Sequence, residues 1–389
     1  MVARVGIVGG GIMGCLAALA FAQRGKRAVI FERCPQLMSR ASQGNEGKIH
    51  LGFTYGLDET GATRDVMLRY GQKFESALKQ LIEIDSDRLF LHRRQHYAVH
   101  QQSMLGDDGI AAHMRALGNA LDSSTGGATS VRRLSTDERY GLFSDIIRDA
   151  YEVSESSIDC DTLVPGIRAA VAANTNIEVQ TGVHIERIDG DKHRPSLIGA
   201  DGNSLGRFDL VINAAWEGMP KLEHLAGSPM PDYCLRAKVG FIASVPEGLP
   251  PMPVTVIYGS FGDVVPRSGE TAYMSWYPSC LMGFTTDLDG AHEWYEKVVA
   301  EFDFDAAYAS SCAAFSTLFP GFRPAKTPLR VVGGPILAVA RTDIPDHNSR
   351  LHVRTHFGFH RRGKVIAIDT GKLTCGPQLA LELMDYALG

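Results

Sequence analysis

An α/β fold in two domains is predicted by three observations. The chain opens with a short apolar strand, a glycine-rich turn and a helix, it closes with another strand, turn and helix, and between Pro231 and Ala314 the texture changes to alternating aromatic and polar residues. The two ends belong to one layered domain closed by its own C-terminal segment, and the alternation predicts a second domain built on an antiparallel β-sheet.

The opening element comes first, because the uncharged run from Val5 to Ala22 also invites a membrane or secretory reading. Its eighteen residues lie at the lower limit for spanning a bilayer. Five of them are glycine, with Gly9, Gly10 and Gly11 consecutive. Each glycine weakens a helix by roughly 1 kcal/mol relative to alanine. No cleavage site follows, and QRGKRAVIFE runs straight into another strand, so neither a signal nor stable membrane insertion is expected.

The spacing Gly9-x-Gly11-x-x-Gly14 fits instead a strand over Val5–Val8, a tight turn and a helix over Ile12–Arg24. Gly9 permits the turn, Gly11 lets the backbone approach a pyrophosphate, and Gly14 packs the helix onto the strand. The diphosphate would sit on the free N–H groups at the helix start, at Ile12 and Met13. Gly25 caps the helix, Ala28–Phe31 forms the next strand, and Glu32, followed by Arg33, lies where a carboxylate accepts hydrogen bonds from an adenosine ribose. These features define a Rossmann-like dinucleotide-binding unit.

The remaining elements follow in order. TRDVMLRYGQKFESALKQLIEI is a helix, with strands near Leu89–His100 after it. LDSSTGGATS, Leu121–Ser130, has the composition of a loop. DTLVPGIRAAVAANTNIEVQTGVHIERIDG reads as helix, strand, strand, and FDLVINAAWEGMPKLEHLAG as a buried strand turning into a helix. KVIAIDTGKLTCGPQLALELMDYAL gives the closing strand, turn and helix, the last starting around Gly376-Pro377. Residues 1–88, 150–228 and 325–389 thus form a discontinuous dinucleotide-binding domain, and residues 89–149 and 229–324 a substrate domain.

A chain of 389 residues with 44% hydrophobic content can bury a large core. The net charge of −5, without basic tracts beyond pairs such as Arg132-Arg133 and Arg361-Arg362, argues against nucleic acid as a partner. Seven scattered cysteines without a C-x-x-C pair fit reduced thiols in a cytoplasmic protein better than disulfides or zinc. His92, His96 and His100 recur every four residues, but their stretch reads as a β-hairpin strand, which argues against a metal site.

Four separated motifs carry a family resemblance. GxGxxG with Glu32 is the first, NEGKIHLGFTY (Asn45–Tyr55) the second, DLVINAAW (Asp209–Trp216) the third, and GFRP (Gly321–Pro324) with DTGKLT (Asp369–Thr374) the fourth. Together they resemble flavoproteins related to D-amino-acid oxidase and glycine oxidase, a family that includes glycerol-3-phosphate and L-2-hydroxyglutarate dehydrogenases. Trp216 departs from the pattern, since the third motif usually ends in glycine. The resemblance implies a Rossmann-like FAD-binding domain and FAD as cofactor. Gly9, Gly11, Gly14 and Glu32 would then hold the ADP half, and Ser39, Ala41, Ser42, Asn45, Gly47 and Ile49 would contact phosphate and flavin. Ile185 would support adenine through its backbone, and Ala214 and Ala215 would run under the dinucleotide. Gly371, Lys372, Leu373 and Thr374 would present backbone N–H groups to the flavin's electron-rich pyrimidine edge.

For the chemistry, Arg323 of GFRP is the expected clamp on a substrate carboxylate, because a guanidinium grips it with two parallel hydrogen bonds. Tyr258, Tyr273 and Tyr277 are candidates either to line the pocket or to fill the sheet, and His356 and His360 either to reach the same pocket or to be loop histidines. Oxidation of a small amine or amino acid at Cα–H, giving an imine that hydrolyses, needs only the neutral amine. A 2-hydroxy acid or polyol phosphate needs a base as hydride leaves, and His50 is placed for that role, or for contact with the flavin. A noncatalytic flavin-binding protein is the third expectation. The expected partners are small molecules, and the oligomeric state is open.

Overall fold

The computed structural model describes residues 3–125, 130–190 and 193–388. Its first sheet has six strands in the order Gly358–Arg362, Val365–Asp369, Leu210–Asn213, Arg4–Val8, Arg27–Glu32 and Ile177–Thr181. All pairs are parallel except that of the edge strand Gly358–Arg362. The helix Ile12–Gln23 lies on this sheet, contacted also by the helices Cys160–Ala173 and Gly376–Leu388. It is buried continuously from Met13 to Ala22, which is why the run carries no charge: a helix covered on every face has no use for a polar side. Among the described residues no helix is long and apolar enough to cross a membrane.

The second large sheet runs Leu281–Thr285, Tyr233–Ser244, Thr271–Trp276, Gly262–Arg267, Val254–Ile257, Gln95–His100, Ile147–Val153 and Val131–Arg133, with Arg330–Val339 also paired to Tyr233–Ser244. Its pairs are antiparallel except Val254–Ile257 with Gln95–His100. A three-stranded antiparallel sheet, Ile185–Asp189, Ser196–Gly199 and Ser204–Arg207, and a small sheet of Lys48–Ile49, Ser156–Ile158 and Phe90–His92 complete the fold.

Several boundaries differ from the sequence expectation. Arg330–Val339 was expected with the dinucleotide-binding segments, yet it pairs along its whole length with Tyr233–Ser244, from Ile242 opposite Arg330 to Tyr233 opposite Val339. The expected boundary at residue 150 falls inside the strand Ile147–Val153. The 231–314 stretch contains helices as well as strands: the short Tyr277–Cys280, then Ala291–Glu301, and Phe304–Leu318, which begins there and packs Tyr308 and Phe315 against Phe241 and Met274 of the sheet. Phe90–His92 and Gln95–His100 do not form a hairpin, because they join different sheets. The expected loop at Leu121–Ser130 is helical through Thr125, and 126–129 lie outside the described residues.

Candidate functional site

A cavity of about 790 Å³ is lined by the carboxyl ends of the parallel strands and by residues of the second large sheet. In open α/β sheets ligands bind at this end, where the connections diverge. The glycine turn follows Arg4–Val8, the strand flanked by Arg27–Glu32 and Leu210–Asn213. Gly9, Gly11, Ile12, Met13, Glu32, Arg33, Ser39, Ala41, Ser42, Asn45, Ile185, Ala214, Ala215, Gly371, Lys372 and Leu373 all line the cavity, as do His50, Tyr258, Tyr273 and Tyr277.

Gly11 and Gly14 differ in kind. A Cβ on Gly11 would meet only Ser42 Oγ, at 3.7 Å, so the protein's own packing does not require glycine there. A Cβ on Gly14 would drive into the carbonyl oxygen of Gly9, which makes it a packing residue that does not reach the cavity.

Three more expected contacts lie behind the wall. Ile49 is core. Gly47, at φ +82°, turns the chain, its N–H donating to Asn45 Oδ1 and its carbonyl accepting from Ile158 N–H. Thr374 is fully buried and its Oγ1 accepts the His50 N–H at 2.8 Å.

Glu32 shapes the turn itself: Oε2 accepts from Gly10 N–H at 2.7 Å and Oε1 from Cys34 N–H at 2.8 Å. Trp216 occupies the left-handed region at φ +52°, a conformation that explains the usual glycine. Its indole N–H donates to the Pro335 carbonyl at 2.8 Å, fastening the first sheet's loop to the Arg330–Val339 strand. Arg33 and Arg40 share Glu217 at the cavity wall.

Arg323 is not in the cavity. Its side chain is 80% exposed and pairs at 3.7 Å with an equally exposed Glu247, so it is a surface ion pair where water competes for both groups. His356 and His360 are exposed and outside the cavity as well, whereas His352 lines it.

Other cations line the cavity, among them three outside every motif and one, Lys372, within DTGKLT. Arg236 and Lys238 project from Tyr233–Ser244, Arg354 follows the turn Arg350–His352, and Lys372 comes from the closing turn; all four line the cavity. Burial of Arg236 opposes its charge, but Tyr277 outweighs it: Arg236 Nη1 donates to the Tyr277 hydroxyl at 3.1 Å, which donates in turn to Asp343 Oδ1 at 2.6 Å. Burial and the neighbouring Arg236 weaken the hold of Arg354 on its proton. Burial, then Arg354, Arg236 and Lys238, pull the Lys372 ammonium down to about 8. Tyr258 is committed to the scaffold, its hydroxyl donating to the Phe53 carbonyl at 2.9 Å.

His50 is buried beside two carboxylates, Nε2 at 3.6 Å from Glu46 Oε1 and Nδ1 at 3.6 Å from Glu155 Oε1, and neither ring nitrogen has a hydrogen-bond partner. Burial of Glu46 opposes its charge, but His50 and Lys372 outweigh it and hold the carboxyl well below its ordinary range. Lys48, with no exposed side chain, donates to Thr255 Oγ1 at 2.6 Å and Asp263 Oδ2 at 2.7 Å. A signal for the missed cations was present in YCLRAKVGFIAS, where two cations at i and i+2 interrupt a strand otherwise fit for burial.

Residues 4–376 match the family model described as FAD dependent oxidoreductase. Glycine oxidase from Geobacillus kaustophilus superposes with a TM-score of 0.68 at 16% identity, covering 99% of this chain and 95% of that one. L-alpha-glycerophosphate oxidase from Mycoplasma pneumoniae, solved with FAD bound, gives 0.70 at 16% identity, with 99% and 93% covered. The FAD-dependent monooxygenase kojA of Aspergillus flavus is 28% identical over 217 residues, 54% of this chain and 45% of the relative, so the chain spans less than half the length of that curated relative.

Proposed function

The chain belongs to the family of FAD dependent oxidoreductases, and from that premise we propose that it oxidises the Cα–H of a small amino acid at a flavin held in this cavity. FAD is the cofactor of the family, and the residues present fit it. The space beside Gly11 is left free by the protein's own packing, as a pyrophosphate contact requires. At the other end, the closing turn brings Gly371, Lys372 and Leu373 into the same cavity; Gly371 N–H donates to Asp369 Oδ1 and Lys372 N–H to the Thr370 carbonyl, which leaves the Leu373 N–H for a pyrimidine edge.

One observation carries the substrate assignment. Arg236 and Arg354 are two buried guanidinium groups in the dinucleotide cavity, and each has a buried Nε without a hydrogen-bond partner. Such forks bind a carboxylate with paired, charge-assisted hydrogen bonds. When bound, FAD supplies the acceptor for the two electrons and hydrogen leaving Cα. The chain's own residues do the rest. Arg236, held by Tyr277, orients the carboxylate, while Tyr273 and the flank of Tyr277 exclude water. Loss of hydride from the neutral amine leaves an iminium, which gives an N–H proton to water and, after release, hydrolyses to an oxo acid and ammonia.

A second reading, oxidation of a 2-hydroxy acid or polyol phosphate, is favoured by His50, whose free ring nitrogens stand between Glu46 and Glu155. A hydroxyl proton must be removed as hydride departs, and an imidazole whose ring nitrogens are unpartnered can accept it. Anaerobic bleaching of the flavin separates the two. Amino acids are expected to bleach it and 2-hydroxy acids not; the reverse result would replace the first reading with the second.

A further inference from the structure

Of the cations lining the cavity, Lys48 pairs with Asp263, Arg33 with Glu217, Arg40 with Glu217 and Glu296, and Lys221 with Glu186. Arg236, Lys238, Arg354 and Lys372 have no ion pair with a carboxylate among the described residues. Taking a charge out of water costs several kcal/mol when nothing compensates it. Glu46 partly offsets Lys372 and Lys238, and Asp369 partly offsets Arg354, but among the described residues no carboxylate is in contact with any of the four, so the two guanidinium forks stay open to negative charge that arrives with ligands.

The phosphates of the dinucleotide belong at the glycine turn, and Lys372 of the closing turn is answered by Glu46. Arg236, Lys238 and Arg354 remain. One guanidinium fork suffices to hold a single carboxylate, and the two guanidinium groups come from different elements, the Tyr233–Ser244 strand and the segment after Arg350–His352.

We propose that the substrate carries a second acidic group, so that Arg236 grips one acid group and Arg354 the other. This rests on the reading of the cavity as the substrate site. Lys238, two residues from Arg236 on the same face of the strand and 5.8 Å from the Tyr277 ring centroid, adds a point charge between aromatic and ligand. The class of substrate is then an amino diacid, the second acid being carboxylate or phosphonate.

Calorimetric titration of the FAD-loaded protein tests this without turnover. Malonate, succinate, glutarate and 3-phosphonopropionate are compared with acetate, propionate and butyrate. The diacids are expected to bind at least about tenfold more tightly than the monoacids of similar length, and Arg354→Met to narrow the preference to within about threefold. Phosphonopropionate exceeding every dicarboxylate would identify the second group as a phosphate-like anion, and the converse as a carboxylate. Equal affinity for mono- and diacids in the unsubstituted protein overturns the proposal, whether or not the variant folds. A preference that survives Arg354→Met overturns the assignment to that residue. Tight diacid binding with no bleaching by any amino acid would leave this inference standing and remove the amino-acid reading instead.

Discussion

Nδ1 of His50 faces Oε1 of Glu155 across 3.6 Å, and Glu155 is held rigidly on the far side. Fully buried, it accepts from Leu51 N–H at 2.6 Å, Gln95 Nε2 at 2.5 Å and the Tyr97 hydroxyl at 2.6 Å. The pair gives a way to tell the two chemistries apart by mutation. Under amino-acid oxidation, His50→Asn is expected to lower kcat by less than about tenfold. A general base contributes about 10²–10⁴-fold, so a loss of that size in stopped-flow flavin reduction would move the assignment to hydroxy acids.

Gly11→Ala and Gly14→Ala should part company. The first places a methyl in free space, so FAD-stripped protein should unfold within about 0.5 kcal/mol of the parent while FAD binding weakens at least tenfold. The second forces a methyl into a backbone carbonyl and is expected to cost about 1–3 kcal/mol of stability. Urea unfolding and fluorescence titration with FAD measure both. Equal stability losses would place both glycines in packing alone.

Arg323→Ala should change neither flavin content nor substrate KM. The residue pairs with Glu247 in water, and such pairs contribute at most about 1 kcal/mol. A several-fold rise in KM would return it to the substrate pocket.

Asp369 sets a pH dependence whose sign is fixed by its burial, which pushes the carboxyl up to about 6 against the opposing Gly371 N–H, Tyr233 hydroxyl and Arg354. Between its ordinary value and that raised one, the folded state holds a proton that the unfolded chain has released, so this group's contribution to stability falls as pH rises. At about 1.4 kcal/mol per unit, the fall is on the order of 2–3 kcal/mol. Asp369→Asn should therefore gain on the parent in FAD-stripped protein as pH goes from about 4 to about 7, as compared by urea unfolding. A constant difference across that range would show that Asp369 titrates normally.

What the sequence disclosed was local. The glycine turn, its strand and its helix are set by neighbours within a few residues, and so is the closing turn at Gly371. The substrate end is set by tertiary approach. Arg236 and Arg354 meet only because the strand Tyr233–Ser244 and the segment after Arg350–His352 fold onto one cavity, and no spacing rule links them. Arg323 sits in a motif of the right composition, but the chain turns its side chain outward, and a four-residue string does not record which way a loop faces. The strand Arg330–Val339 was misplaced for a related reason: its apolar texture suits either sheet, and only pairing with Tyr233–Ser244 decides.

The cavity has walls from both Gly9 and Leu373. On a ribosome, the glycine turn is made long before Leu373, so it waits for the intervening chain before its opposite wall exists. A nascent chain stalled between the two turns would therefore hold one wall of the cavity without the other, however well its early segments had folded.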